Sequence, residues 1–92
     1  MTGTIKLSEA FKGPHAQRLE EVIKTALLDA KEPARKEAAD LLAKHYRGKI
    51  LRGFVGDNQI FVLLRYGNEN VLCYVSDLPT EYWGRQIKEF TI

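Results

Sequence analysis

The sequence predicts an α+β domain in which two antiparallel helices pack on one face of a three- to four-stranded antiparallel β-meander, with a short C-terminal helix or strand. Residues 14–46 contain two segments with helical apolar spacing, which indicates a helical hairpin. Residues 48–76 form a long apolar stretch with two turn signals, which indicates three strands. A chain of 92 residues is enough for one compact domain and too short for two, so we expect a single domain over residues 1–92.

The N-terminal segment, residues 1–13, allows an extended strand and also a turn of helix. The alternation of apolar and polar residues around Ile5 favours a short strand, whereas the four residues from Ser8 favour a helical turn. Gly13 and Pro14 then break the chain, and proline is favoured at the first position of a helix. We therefore expect the first long helix to begin here.

The first long helix is expected over residues 15–30. Its apolar residues recur at the i, i+3, i+4 spacing that places them on one stripe of a helix. The stripe comprises Ala16, Leu19, Val22, Ile23, Ala26, Leu27 and Ala30. Leu28 falls opposite the stripe, and a single exposed leucine is ordinary for a folded protein.

The second helix is expected over residues 33–46, where Pro33 either ends the first helix or opens the second. One face of this helix collects Ala34, Ala38, Leu41, Leu42 and His45. Gly48 follows at the position just beyond a helix end, where glycine readily takes the left-handed conformation. The sequence therefore predicts that Gly48 ends this helix.

Two short loops divide the apolar stretch into three strands. Asp57-Asn58 has the character of a type I′ turn, and Asn68-Glu69 is the second candidate loop. The first loop pairs Val55 with Ile60, Phe54 with Phe61, Arg52 with Leu63 and Ile50 with Arg65. The second loop pairs Tyr66 with Val71, Leu64 with Cys73 and Val62 with Val75. The two registers were derived independently and assign the residues to the same two faces.

One face of the expected sheet is almost wholly apolar and should lie under the helices. It comprises Leu51, Gly53, Val55, Ile60, Val62, Leu64, Tyr66, Val71, Cys73 and Val75. The second face mixes aromatic, aliphatic and basic residues. It comprises Ile50, Arg52, Phe54, Phe61, Leu63, Arg65, Leu72, Tyr74 and Ser76. This second face is too apolar to be covered by water alone, so we expect another part of the chain or a partner to cover it.

The C-terminal segment, residues 79–92, has two interpretations. In one, Thr80 caps a short helix that carries Trp83, Ile87 and Phe90 on one side. In the other, Gly84 ends that helix and the last eight residues form a fourth strand. In the first form the segment could pack over part of the second face.

Composition excludes several classes of function. The net charge is +2 and the isoelectric point is about 8.8, which permits contact with nucleic acid without requiring it. The single cysteine, Cys73, excludes an internal disulfide and a cysteine-built metal site. The residue pattern offers no catalytic constellation, no metal-ligand spacing and no glycine-rich phosphate loop, so we expect neither an enzyme nor a cofactor. No signal peptide or membrane span is evident, and we expect a cytoplasmic protein.

The second face is the candidate site, because it concentrates residue types that are enriched in protein–protein hot spots. The candidate partner-binding residues are Arg52, Phe54, Phe61, Leu63, Arg65 and Tyr74. The sequence therefore predicts a small non-catalytic binding protein, such as a regulator, an inhibitor or a small subunit. Its partner would be another protein or a second copy of itself, as in a homodimer.

Nucleic acid is the alternative partner. The same arginines and aromatic residues could stack on single-stranded RNA or DNA when displayed on a sheet. A second basic cluster, in which phosphate could bind, comprises Arg35, Lys36, Lys44, Arg47 and Lys49. Glu37 and Asp40 interrupt this cluster, so an ordinary solvated surface explains it better.

The expected order of elements is a strand, two helices and three strands, and this order resembles the RelE/ParE toxins. The resemblance implies an RNase with basic residues and a tyrosine on the sheet and near the C-terminus. In this chain Arg52, Arg65, Tyr82 and Arg85 would occupy such places.

Overall fold

The computed structural model describes residues 4–29 and 32–85, and it confirms the α+β class. The chain begins with strand β1 (Ile5–Lys6) and helices α1 (Leu7–Ala10), α2 (Ala16–Asp29) and α3 (Glu32–Leu41), which a π-helical turn (Leu42–Tyr46) continues. Three strands follow, β2 (Gly48–Gly56), β3 (Gln59–Tyr66) and β4 (Glu69–Asp77), and then a 3₁₀ turn (Thr80–Tyr82).

The four strands form one mixed sheet in the order β1-β4-β3-β2. Strands β2, β3 and β4 are antiparallel to their neighbours, as expected of a meander. Strand β1 pairs with β4 in parallel, through Ile5 with Cys73 and Lys6 with Tyr74. The prediction of a wholly antiparallel sheet was therefore wrong. A parallel neighbour needs a long connection, and the helices together with β2 and β3 supply it here.

The core lies between the helices and one face of the sheet. The predicted stripe of α2 is buried at every described position, and Ala30 lies outside the described residues. The sheet contributes Ile60, Val62, Leu64, Cys73 and Val75 to the same cluster. Leu7 and Phe11 add to it from α1 and the residue that follows. Leu28 is half-buried and packs against the edge of this core, although it was expected on the opposite side of α2.

The π-helical turn after α3 changes which side chains reach the core. Tyr46 is buried there, whereas His45 is exposed, so the prediction that His45 lies on the apolar face was wrong. A π turn is wider than an α turn and rotates the following residues around the helix axis. His45 instead stacks on His15, with 4.0 Å between ring centroids. Partial desolvation, and then the charges of His15 and Lys44, lower the pKa of His45 below its ordinary value.

The chain leaves this turn through a residue other than the expected glycine. Arg47 takes the left-handed conformation, with φ of 50° and ψ of 37°, whereas Gly48 already belongs to β2. Gly48 serves a different purpose, because a Cβ atom at its position would lie 3.2 Å from Cδ2 of Leu42. Glycine at this position therefore lets the strand pass close to the end of the helix.

The first hairpin has the predicted type I′ turn, since Asp57 and Asn58 both have positive φ angles, 52° and 61°. The predicted pairs from Val55–Ile60 to Arg52–Leu63 are present. Beyond them a β-bulge at Leu51 shifts the register, so that Ile50 pairs with Leu64 rather than with Arg65. Ile50 is consequently buried in the core, and its placement on the second face was wrong.

The second hairpin turns at Gly67-Asn68 rather than at Asn68-Glu69. Gly67 has a φ of 64°, which glycine adopts more easily than any other residue. The register is shifted by two residues from the prediction, and Leu64 pairs with Val71. A shift of two residues leaves every side chain on its predicted face, because the side chains of a strand alternate with a period of two.

A second bulge, at Val75, changes one assignment on β4. Because of it Ser76 pairs with Ile60, a core residue. The hydroxyl oxygen of Ser76 is buried, so the expected position of Ser76 on the second face was wrong.

We expect the Cys73 thiol to be inert towards alkylation and disulfide exchange in the folded protein. Its side chain is fully buried, and burial together with the charge of Glu20 raises its pKa from 9.0 to about 11. A rise of about two units lowers the thiolate fraction at neutral pH by about a hundredfold, and burial also blocks access. The measurement is the rate of reaction with an aromatic disulfide reagent at pH 8, in buffer and in guanidinium chloride. Because the chain has one cysteine, each rate reports on Cys73 alone. Equal rates in the two solutions would show that the thiol is accessible.

Candidate functional site

The candidate site is the side of the sheet that faces away from the helices, which we call the outer face. The strand registers place there Lys6, Lys49, Arg52, Phe54, Phe61, Leu63, Arg65, Leu72, Tyr74 and Asp77. This set contains all six residues that the sequence predicted for partner binding. It also contains two cations, Lys6 and Lys49, that were not predicted on the sheet face. Their positions follow from the parallel pairing of β1 and from the bulge at Leu51.

Three aromatic side chains form a row across β2, β3 and β4. Phe54 is paired with Phe61, and their rings are stacked with 5.6 Å between centroids and 21° between planes. Phe61 is paired with Tyr74, whose ring meets it edge to face at 6.2 Å. The guanidinium carbon of Arg52 lies 5.2 Å from the centre of the Phe54 ring. These contacts brace the rings, and each ring remains only half-buried.

A second, aliphatic row lies beside the aromatic one. Leu63 on β3 pairs with Leu72 on β4, and Arg52 on β2 pairs with Leu63. Leu72 is 39% exposed, which is high for a leucine in a sheet. The two rows together form an apolar patch of the kind that marks an interaction surface.

A third row is basic. Lys49 on β2 lies directly opposite Arg65 on β3, and both side chains are exposed. The Nε atom of Arg65 donates a hydrogen bond to Oδ1 of Asn70 at 3.4 Å. Among residues 4–29 and 32–85, neither Lys49 nor Arg65 has a carboxylate partner within salt-bridge distance. Like charges placed directly opposite each other destabilise a sheet, so this pair is a local cost to folding.

Among the described residues, the outer face has a net positive charge and the rest of the chain a net negative one. Its four cations stand against one anion, Asp77, whereas the remaining described residues comprise eight cations and ten anions. Desolvation by burial, hydrogen bonding with Asp77, and the charges of Asp77 and Glu20 raise the pKa of Tyr74 above its ordinary value. Burial and the neighbouring carboxylate both disfavour the charged phenolate, so the phenol stays protonated at neutral pH.

The residues of the second basic cluster lie on α3, the π-helical turn, the residue after that turn, and β2. Arg35 forms an ion pair with Glu32 on the same helix, and Arg47 lies in the left-handed turn before β2. Lys49 belongs to the outer face beside Arg65. Lys36 and Lys44 are exposed on α3 and the π-helical turn, as expected of an ordinary solvated surface.

After β4 a single 3₁₀ turn replaces the helix that Thr80 was expected to begin, and the alternative strand over the last eight residues lies, apart from Arg85, outside the described residues. The helical geometry ends at Tyr82, because Trp83 is extended and Gly84 has a φ of 83°. The guanidinium carbon of Arg85 lies 5.1 Å from the centre of the Tyr82 ring. Trp83 is 53% exposed, and its indole nitrogen donates a hydrogen bond to the carbonyl oxygen of Leu78. Ile87 and Phe90, which were expected to cover the second face, lie outside the described residues.

The described part of the chain brings together no group of three His, Cys, Asp or Glu side chains that could hold a metal ion. In residues 4–29 and 32–85 no helix combines the length and apolar character needed to cross a membrane. The chain matches no protein-family model, no curated protein and no solved structure.

We expect Lys49→Glu to stabilise the folded protein. The change replaces a like-charge pair with an opposite-charge pair between directly opposed residues of β2 and β3. Cross-strand pairs of this kind contribute about 0.5 kcal/mol when both side chains are exposed. The measurement is the free energy of unfolding in urea at low and at high salt. The stabilisation should shrink at high salt, because screening weakens both the repulsion and the new attraction.

Lys12→Glu is the matched control, because it makes the same change of charge at an exposed position between α1 and α2. A similar gain in Lys12→Glu would attribute the effect to net charge and not to the pair with Arg65.

Proposed function

We propose that this protein is a small non-catalytic binding protein that engages a protein partner through its outer face, as a regulator, an inhibitor or a small subunit. The observation that supports the proposal is the apolar patch on that face. It consists of a braced aromatic row and an aliphatic row, and both remain partly exposed. Ordinary solvated sheet faces are polar at these positions, since exposed apolar area is unfavourable in water.

The composition of the face also suits a protein partner. Phenylalanine and tyrosine supply large contact areas with few rotatable bonds to immobilise, and arginine is also enriched at interfaces and their hot spots. Phe61 is central to the face, because it contacts Phe54 on one side and Tyr74 on the other. A partner that covers Phe61 would therefore bury all three rings together.

We expect Leu72→Arg and Phe61→Arg each to abolish partner binding while the protein stays folded. Leu72 is already 39% exposed, so a charged side chain there costs little in the free protein and blocks apolar contact in the complex. The measurement is affinity capture from cells of the source organism, followed by purification of the captured protein and titration with each variant. A loss of at least about 2 kcal/mol in binding free energy is expected for a hot-spot position.

Ala43→Arg is the control, because Ala43 is exposed on the π-helical turn, away from the outer face. Circular dichroism and urea unfolding check that each variant is folded. The proposal is wrong if Leu72→Arg and wild type bind the purified partner equally.

A nucleic-acid function is the second candidate, and the positive balance of the outer face favours it. Lys6, Lys49, Arg52 and Arg65 could contact phosphates of a single strand. The order of elements supports the resemblance to RelE/ParE toxins, because a strand and helices precede three antiparallel strands. Fold analogy alone does not assign a function.

The second candidate predicts that a fluorescent single-stranded RNA binds wild type with an affinity that falls steeply with salt. If the protein is an RNase, the RNA is also cleaved, and Arg65→Ala loses this cleavage. Intact RNA and no binding at low salt would exclude this candidate.

A further inference from the structure

We propose that the partner of the outer face is an acidic protein segment, in which a carboxylate binds between Lys49 and Arg65 and neighbouring apolar side chains cover Leu63 and Phe61. This inference rests on the proposed function and specifies the chemistry of the partner.

Two cations on neighbouring strands form the expected carboxylate site. Lys49 and Arg65 lie directly opposite each other, so their side chains leave adjacent strands at the same level of the sheet. An aspartate or glutamate placed between them would attract both cations and would offset part of the repulsion that the free protein bears. Arg65 also offers the fork geometry that matches a carboxylate.

The spacing of the outward side chains along β3 also predicts a pattern in the sequence of the partner. Arg65, Leu63 and Phe61 project from the same face at alternate positions, so neighbouring members of this series are about 7 Å apart. An extended segment has the same repeat. A partner with an acidic residue followed at alternate positions by two apolar residues, in either direction, would therefore match this strand.

The positive charge of the outer face disfavours a second copy of this chain as the partner. Two outer faces brought together would place Lys6, Lys49 and Arg65 of one copy against the same cations of the other, and Asp77 is the one acidic side chain of this face among the described residues. Repulsion between like-charged surfaces opposes association, so an acidic protein is favoured over self-association.

Nucleic acid is negatively charged, as the proposed acidic segment is, but it would have to contact the aromatic rings in a different way. Single-stranded bases bind by stacking on free faces of aromatic rings. The Phe54 ring has Phe61 stacked on it and the Arg52 guanidinium close to it, and Phe61 also meets Tyr74. The rings thus already stack on one another, which suits apolar side chains better than bases.

The test is selection of random twelve-residue peptides, displayed on phage, against immobilised full-length protein. We expect wild type to enrich peptides in which an acidic residue is followed at alternate positions by apolar residues. A synthetic copy of the best peptide should lose at least about tenfold in affinity on Lys49→Glu and on Arg65→Glu. It should bind Lys12→Glu, the charge control, as it binds wild type, and it should fail to bind Leu72→Arg.

Each other outcome overturns the inference in a way that identifies the error. Peptides that lack acidic residues but still need Leu72 would refute the acidic partner and leave the proposed function standing. A wild-type dimer in light scattering that Phe61→Arg converts to a folded monomer would make a second copy the occupant. Peptide binding that appears only after residues 86–92 are deleted would make the chain's own C-terminus the occupant. No enrichment, with salt-dependent binding of oligouridylate instead, would overturn both the inference and the proposed protein partner.

Discussion

The burial of the α2 stripe and of alternate residues of β3 and β4 in one apolar cluster is the constraint on which the rest of the structure depends. Ile60, Val62 and Leu64 are completely buried in the same cluster as the α2 stripe. Because side chains alternate along a strand, burying these three forces Phe61, Leu63 and Arg65 onto the opposite face. A slip of one residue would exchange the two sets and place an arginine in the core, which makes such a slip very costly.

The same alternation explains why so much of the sheet could be predicted from the sequence. The Asp57-Asn58 turn fixed the first register near the loop, and the faces on β3 followed from it. The second turn was misplaced by one residue, which shifted the pairing by two, yet the faces survived because the error was even. The helical stripe of α2 was equally predictable, since its spacing extends over four turns.

The features that could not be predicted are local departures from periodicity. The bulges at Leu51 and Val75 each insert one residue, which reverses the faces beyond them and moves Ile50 and Ser76 to the core side. The π-helical turn exchanges His45 for Tyr46 in the same way. The apolar pattern does not show where a bulge or a π turn will occur, because each of these stretches has apolar residues in both registers. The N-terminal segment allowed both a strand and a helical turn, and the structure contains each in succession, β1 and then α1.

These departures determine the chemistry of the candidate site. Without the bulge at Leu51, Ile50 would lie opposite Arg65 and Lys49 would point towards the core. With it, an aliphatic residue is buried and a lysine stands beside an arginine on the outer face. The fold thus gains a well-filled core and accepts a like-charge pair at the surface. Natural sequences generally break a local rule where function requires it, and a small domain has little stability to spare. Two opposed cations in the row next to an exposed leucine and a braced aromatic row do not help the chain to fold, and this is the reason for proposing that the outer face binds a partner.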